Sequence, residues 1–200
     1  RLGELAAMAA PQSSLTRRAT SAVTTQVKVL GGSLGVMWAA LGANALASGA
    51  LLSYGVVPRT RDGLWGILSA PFIHANVQHL AANSVPFLIL GALVLLRGAR
   101  RFLLVTILAT LGSGIAAWAF GAPGSVHVGA SGVIFGYLGF LMLAGWFARS
   151  WGSIALSVLV TVAWGGLVFG VMPGTPGVSW QSHLGGFLGG VLAARWFARA

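Results

Sequence analysis

Six apolar stretches follow one another along the chain, at residues 29–57, 77–96, 102–120, 131–147, 153–171 and 180–198. Each is near the roughly 20 residues that a helix needs to cross a bilayer. The breaks between them, at 58–62, 97–101, 121–124, 148–151 and 172–177, hold charges or else Pro and Gly. The pattern predicts an all-α polytopic membrane protein with six transmembrane helices packed as one bundle. No second, soluble domain and no internal repeat is visible. Residues 1–28 are polar and carry Ser, Thr and the pair Arg17-Arg18. They lack the basic start, apolar core and cleavage site of a signal peptide, and are expected to form a flexible tail before a core spanning 29–200. An acid-poor start with Arg and Ser also faintly fits a mitochondrial presequence.

Composition agrees with a bilayer. Hydrophobic residues make up 56% and charged residues 7%, and the mean hydropathy is +0.86. A soluble domain carries about 25% charged residues, so this chain cannot cover a water-facing surface. The formal charge of +10 then reads as basic loops on one side of a membrane, and no nucleic-acid partner is expected. With six crossings, one side would carry Arg1, Arg17, Arg18, Lys28, Arg97, Arg100, Arg101, Arg149, Arg195 and Arg199. The other side would carry Arg59 and Arg61 alone. That bias predicts both termini on the cytoplasmic side.

The chemistry available is narrow. Asp+Glu number 2, namely Glu4 and Asp62, and Cys is 0. Paired-carboxylate catalysis, most Mg²⁺ sites, thiol nucleophiles and Cys-ligated zinc are set aside. Polar residues inside apolar helices are costly and therefore informative.

Three groups stand out. Gly129-Ala130-Ser131-Gly132 lies where a Pro/Gly loop turns into the fourth stretch. A Ser at a helix start has its hydroxyl beside backbone N–H groups without intrahelical partners, and flanking glycines let another backbone approach. An ordinary N-cap with small-residue packing would look the same. In the sixth stretch, Gly186 and Gly190 fall on the helical face of His183. They leave room for a second helix, and Gly132 and Gly136 beside Ser131 offer the matching small residues. Gly189 is expected to point away from that face. In the second stretch, His79 and Asn83 are four apart and share a face, where two neutral donors could hold a developing oxyanion or simply bond another helix. With 30 Gly in the chain, G-x-S-G arises easily by chance; the three groups together do not.

Depth agrees between them. At 1.5 Å per residue, Ser131 lies about 27 Å from Arg149 and His79 about 27 Å from Arg97. Asn83 lies about 21 Å from Arg97 and His183 about 18 Å from Arg195. All four fall in one slab near the outer surface of a core about 30 Å thick.

With these residues in this order, the chain resembles the rhomboid intramembrane serine proteases over about residues 29–198. Trp65, His74, His79, Asn83, Gly129, Ser131, Gly132, His183, Gly186 and Gly190 carry the likeness. The resemblance implies a serine endopeptidase with Ser131 as nucleophile and His183 as general base. It implies an oxyanion hole of His79, Asn83 and the Ser131 N–H. It implies no metal and no cofactor, and substrates that are transmembrane helices of other membrane proteins. The setting it implies is a bacterial cell membrane, with the site opening to the outer face, gated by the fifth helix or the loop before His183.

Where the family commonly has Tyr four residues after the nucleophile, this chain has Phe135, whose ring can still stack on His183. The first loop reads Trp65-Gly66 rather than Trp-Arg, Val94-Leu95-Leu96 stands where a Glu is common before Arg97, and Ser182 replaces a common Ala. No carboxylate is placed to orient the base, so the site reads as a dyad held by ring packing. His127 is expected to be a solvated loop residue. The rival readings are a rhomboid-like protein that binds helices without cutting, and a small transporter.

Overall fold

The computed structural model describes residues 20, 21 and 23–198. Its helices are α1 (Gly32–Leu46), α2 (Val77–Leu96), α3 (Ala99–Phe120), α4 (Ser131–Ala148), α5 (Trp151–Trp164) and α6 (Trp180–Phe197). A π-helical turn, Val27–Gly31, leads into α1. Most of the expected N-terminal tail, residues 1–19 and 22, lies outside the described residues. Its end does not, and the apolar helix is continuous from Val23 to Leu46.

Among the described residues, five helices are long and apolar enough to cross a membrane. The expected sixth crossing, α6, is a helix of 18 residues but is not among them. Gln181, Ser182, His183, Arg195 and the paired glycines lower its hydropathy. Two other stretches are shorter as α-helix than their apolar pattern suggested. The first ends at Leu46, because Ser48 (φ 52°) and Gly49 (φ 86°) turn left-handed there. Asn44 holds the turn, accepting the Gly49 N–H on its carbonyl at 2.8 Å and the Leu51 N–H on its side chain at 3.0 Å. The fifth changes at Gly165-Gly166 from α-helix to a 3₁₀ segment, Gly165–Val171.

Between α1 and α2 the chain runs as short helical turns that lie over the ends of α3 and of the loop before α4. Val56 and His127 exchange two backbone hydrogen bonds of 2.9 Å. The Trp118 indole N–H donates to Thr60 O at 2.8 Å, and the Arg59 guanidinium to Ala119 O at 3.0 Å. Gly66 is buried against the Gly55 backbone so closely that a Cβ would overlap it, so the position that departs from Trp-Arg has no room for a side chain here.

Helix α4 is the centre of the bundle and is buried nearly all round, from Gly132 to Leu141 and again at Ala144 and Gly145. Tyr137 is fully buried within it, its hydroxyl 2.9 Å from Thr106 of α3. Helix α6 lies between α3 and α4 and meets each through its own glycines. A Cβ on Gly186 would strike Gly132 O, and one on Gly190 would strike Gly136 O. These are the contacts expected of the His183 face. Gly189 does leave that face, but not for open space: a Cβ there would strike Leu108 O of α3, and Gly185 likewise abuts Gly112. The sequence carries this second stripe in the doubled glycines, since residues 185 and 189 are also four apart.

Arg101 stacks on Phe197 and Arg195 on Phe147, each with its guanidinium carbon within 5.6 Å of the ring centre. The α3 start and the α4 and α6 ends therefore share one end of the bundle. Arg59, bonded at the far end of α3, lies at the other.

Candidate active site

The loop 121–130 delivers Ser131 to the first position of α4. Gly129 stands at φ 114°, a left-handed value that a side chain resists. A Cβ there would also sit 2.7 Å from the His79 ring. The Gly129 N–H donates to Ala70 O at 2.8 Å, and the Ala130 N–H donates to His74 Nε2 at 3.2 Å. His74 has no exposed surface, and burial, with a smaller effect from His79, lowers its pKa to about 4. It is therefore neutral near pH 7, as an acceptor of a backbone N–H must be. The likeness included His74 without a role; it braces the turn that presents Ser131.

His183, on the first turn of α6, reaches across to α4. Its Nε2 is 2.8 Å from Ser131 Oγ. Its Nδ1 is 2.9 Å from the carbonyl oxygen of Gly170. A carbonyl can only accept, so in neutral His183 the proton sits on Nδ1, and Nε2 presents a lone pair to the Ser131 hydroxyl. The Phe135 ring stacks on the imidazole, with centroids 4.1 Å apart and planes 9° from parallel. Ring packing thus holds the imidazole. The Gly170 carbonyl was not foreseen, because nothing in a sequence marks which backbone oxygen a fold will aim at a side chain.

His79 and Asn83 converge on Gly129 from α2. Its Cβ position is 2.7 Å from His79 Nε2 and 3.5 Å from Asn83 Nδ2. Asn83 is buried, and its Nδ2 has no hydrogen-bond partner among the described residues. The first N–H groups of α4 have no intrahelical partner either. The Asn83 amide, the His79 ring and the free N–H groups of α4 thus gather at the Gly129–Ser131 turn, a set able to meet an oxyanion. The five side chains singled out from sequence, Ser131, His183, Phe135, His79 and Asn83, lie together, and Gly132 and Gly186 form the α4–α6 contact beside them.

His127 departs from expectation. It is half-buried, with Nδ1 2.6 Å from Ser179 Oγ and Nε2 2.9 Å from Ser125 Oγ, and burial holds its pKa below the ordinary imidazole value. Ser179 in turn caps α6, accepting from the Ser182 N–H at 3.4 Å. His127 so ties the loop that carries Ser131 to the helix start that carries His183. Its partners lie far away in sequence or in a loop, which is why it looked solvated.

A model of the Rhomboid domain matches residues 61–200. An uncharacterized protein of Mycobacterium tuberculosis is 43% identical over 148 residues, which cover 70% of this chain and 62% of that protein. An uncharacterized protein of Mycobacterium leprae is 48% identical over 142 residues, 66% of this chain and 56% of the relative. The rhomboid protease GluP of Bacillus subtilis is 31% identical over 137 residues, 65% of this chain and 25% of that protein. The matched region thus spans less than two thirds of each of these relatives.

Proposed function

The chain belongs to the rhomboid family and is an integral membrane protein, and from that premise we propose that it is a serine endopeptidase that cleaves transmembrane segments of other membrane proteins. The observation that carries this reading is the 2.8 Å contact between Ser131 Oγ and His183 Nε2, in the tautomer that acyl transfer requires. Ser131 Oγ attacks the scissile carbonyl while His183 Nε2 takes its proton. The carbonyl oxygen becomes an oxyanion, met by Asn83 Nδ2, His79 Nε2 and the Ser131 N–H. His183 then gives its proton to the leaving amine. The acyl-enzyme is resolved by water, for which His183 again acts as base.

The burial of His183 bears on the form of the substrate. His183 is buried within the helix bundle, so a substrate helix must unwind locally to bring its carbonyl to Ser131, and helix-breaking residues near the cut favour this. All six helices, α6 included, cross the membrane in this reading. The arginine-rich end faces the cytoplasm and the site opens to the opposite side. The test is cleavage of a transmembrane substrate by purified protein in detergent. Ser131→Ala and His183→Ala should each abolish it, and the double variant should be no worse than either, because the pair acts as a unit. Cleavage near the wild-type rate by folded Ser131→Ala would exclude the mechanism; a protein that only binds helices would show no cleavage in any form.

A further inference from the structure

The end of the bundle away from the dyad gathers cations without a matching acid. The turn from α2 into α3 reads Arg97-Gly98-Ala99-Arg100-Arg101. The Arg101 guanidinium donates to Arg97 O at 2.9 Å and lies over the Phe197 ring, 5.4 Å from its centre, so it is held between α2 and α6. Burial, and then the charge of Arg101, keep the Arg97 pKa below the ordinary guanidinium value, yet both groups remain cations near pH 7. Asp62, the one acid among the described residues, is exposed in the first loop, at the end that holds Arg59. Like charges held together and partly desolvated are unfavourable until an anion joins them. We propose that this turn binds the phosphate of an anionic phospholipid.

Three observations carry this. First, Arg97 Nε is buried and has no hydrogen-bond partner among the described residues. Its charge is thus partly withdrawn from water with nothing in the described fold to balance it. Second, α3 starts here without a capping side chain. Its N-cap is Gly98, at φ 115°, and the first N–H groups of the helix have no intrahelical partner. A Cβ on Gly98 would meet nothing within 4 Å, so the way to these donors is open. A helix start alone is satisfied by water; beside two guanidiniums it adds neutral donors to charged ones, the combination that suits phosphate oxygens. Third, the place selects the ligand. The turn joins the apolar spans Val77–Leu96 and Ala99–Phe120, which sets it at the edge of the bilayer core, where lipid phosphates lie. Leu96 and Leu103, flanking the turn, are exposed and offer apolar contact to acyl chains. A free phosphate would use the first two features; a lipid uses all three. The site shares no residue with the dyad and holds whether or not the chain is a protease.

The test titrates the full chain, in a neutral detergent, with phosphatidylglycerol, phosphatidylcholine or inorganic phosphate. Melting temperature is read, and native mass spectrometry counts the lipid retained. Wild-type protein should gain roughly 5 °C or more from saturating phosphatidylglycerol and little from the other two. It should retain one phosphatidylglycerol per chain in preference to phosphatidylcholine. Arg97→Gln should melt at or above wild type without lipid, because a partly buried, unmatched charge is gone, and should lose most of the gain. Arg149→Gln removes the same charge at the same end without touching the turn, and should keep the gain. Glu4, outside the described residues, is the chain's other acid, and Glu4→Gln should match wild type throughout. Wild-type protein that retains both lipids alike overturns the proposal without any variant. So does an equal gain from inorganic phosphate, which would make the ligand a free anion. An undiminished gain in Arg97→Gln, or an equal loss in Arg149→Gln, would take the turn out of the account. A lower melting temperature of lipid-free Glu4→Gln would give Arg97 to Glu4 instead.

Discussion

Asn83 is buried, and its amide nitrogen finds no acceptor within the described fold. A buried donor left so is unfavourable by about 1–3 kcal/mol, and the proposed reaction would give it an acceptor. Asn83→Ala should slow turnover by roughly ten- to a thousandfold with little effect on KM; a rise in KM with unchanged kcat would mean that Asn83 binds substrate instead. His74 makes the opposite demand. Its Nε2 must stay unprotonated to accept from Ala130, and its pKa of about 4 lies below the free value of 6.5. The unfolded chain therefore binds the proton first, so this contribution to stability is complete above pH 6.5 and is lost as pH falls from 6.5 toward 4. The melting temperature in detergent should drop over that window, and His74→Gln should flatten the drop. Equal slopes for wild type and variant would remove His74 from the account. At this scale the sequence was readable where chemistry is scarce. Four histidines in so apolar a chain draw attention, and His79 and His183 sit at helical spacing from Asn83 and the glycines. His74 and His127 each meet a partner more than fifty residues away, the Ala130 N–H and the Ser179 hydroxyl, which no local pattern exposes.

The elements that matter most are α4 and α6, and their closeness is the work of small residues. Gly186 abuts Gly132 across the dyad, whereas Gly189 abuts Leu108 on α3. A valine at either position has to displace backbone, which a helix interface does not permit cheaply. The two should differ in kind. Gly186→Val should lower both melting temperature and activity, with activity down by about a hundredfold or more, since a shift of about 1 Å between dyad members has that cost. Gly189→Val should lower the melting temperature as much with a smaller loss of activity. Leu188, 54% exposed, is the silent position, and Leu188→Val should match wild type in both. Equal activity in all three would mean that the α4–α6 contact does not set the dyad geometry. Helix α2 and the starts of α4 and α6 stood in the apolar pattern to the residue, because Asn76, the Gly129 turn and Ser179 mark them. The ends of the first and fifth stretches did not. There the hydropathy continues while the backbone turns, and side-chain polarity carries no record of a left-handed residue or a change to 3₁₀ geometry.

Across the whole molecule, one end collects Arg97, Arg101, Arg149 and Arg195, and the other holds Arg59 and the dyad. The charge bias predicts the arginine-rich end on the cytoplasmic side. Because the chain has no cysteine, single Arg61→Cys and Arg149→Cys variants can report this directly. A membrane-impermeant maleimide added to intact cells should label residue 61 and not residue 149; the reverse pattern would invert the orientation and place the site toward the cytoplasm. The bundle was legible because hydropathy and basic residues are written at the scale of whole helices. The count of crossings was less so, since α6 carries glycine, histidine and serine in place of apolar side chains.

The central claim is that Ser131 is a nucleophile activated by His183. The most direct measurement is covalent labelling of the detergent-solubilised protein with a fluorophosphonate, with the modified residue located by peptide mass spectrometry. One adduct is expected, on Ser131, abolished in Ser131→Ala and reduced to background in His183→Ala. A wild-type protein that stays unmodified, or an adduct on any other residue, would contradict it.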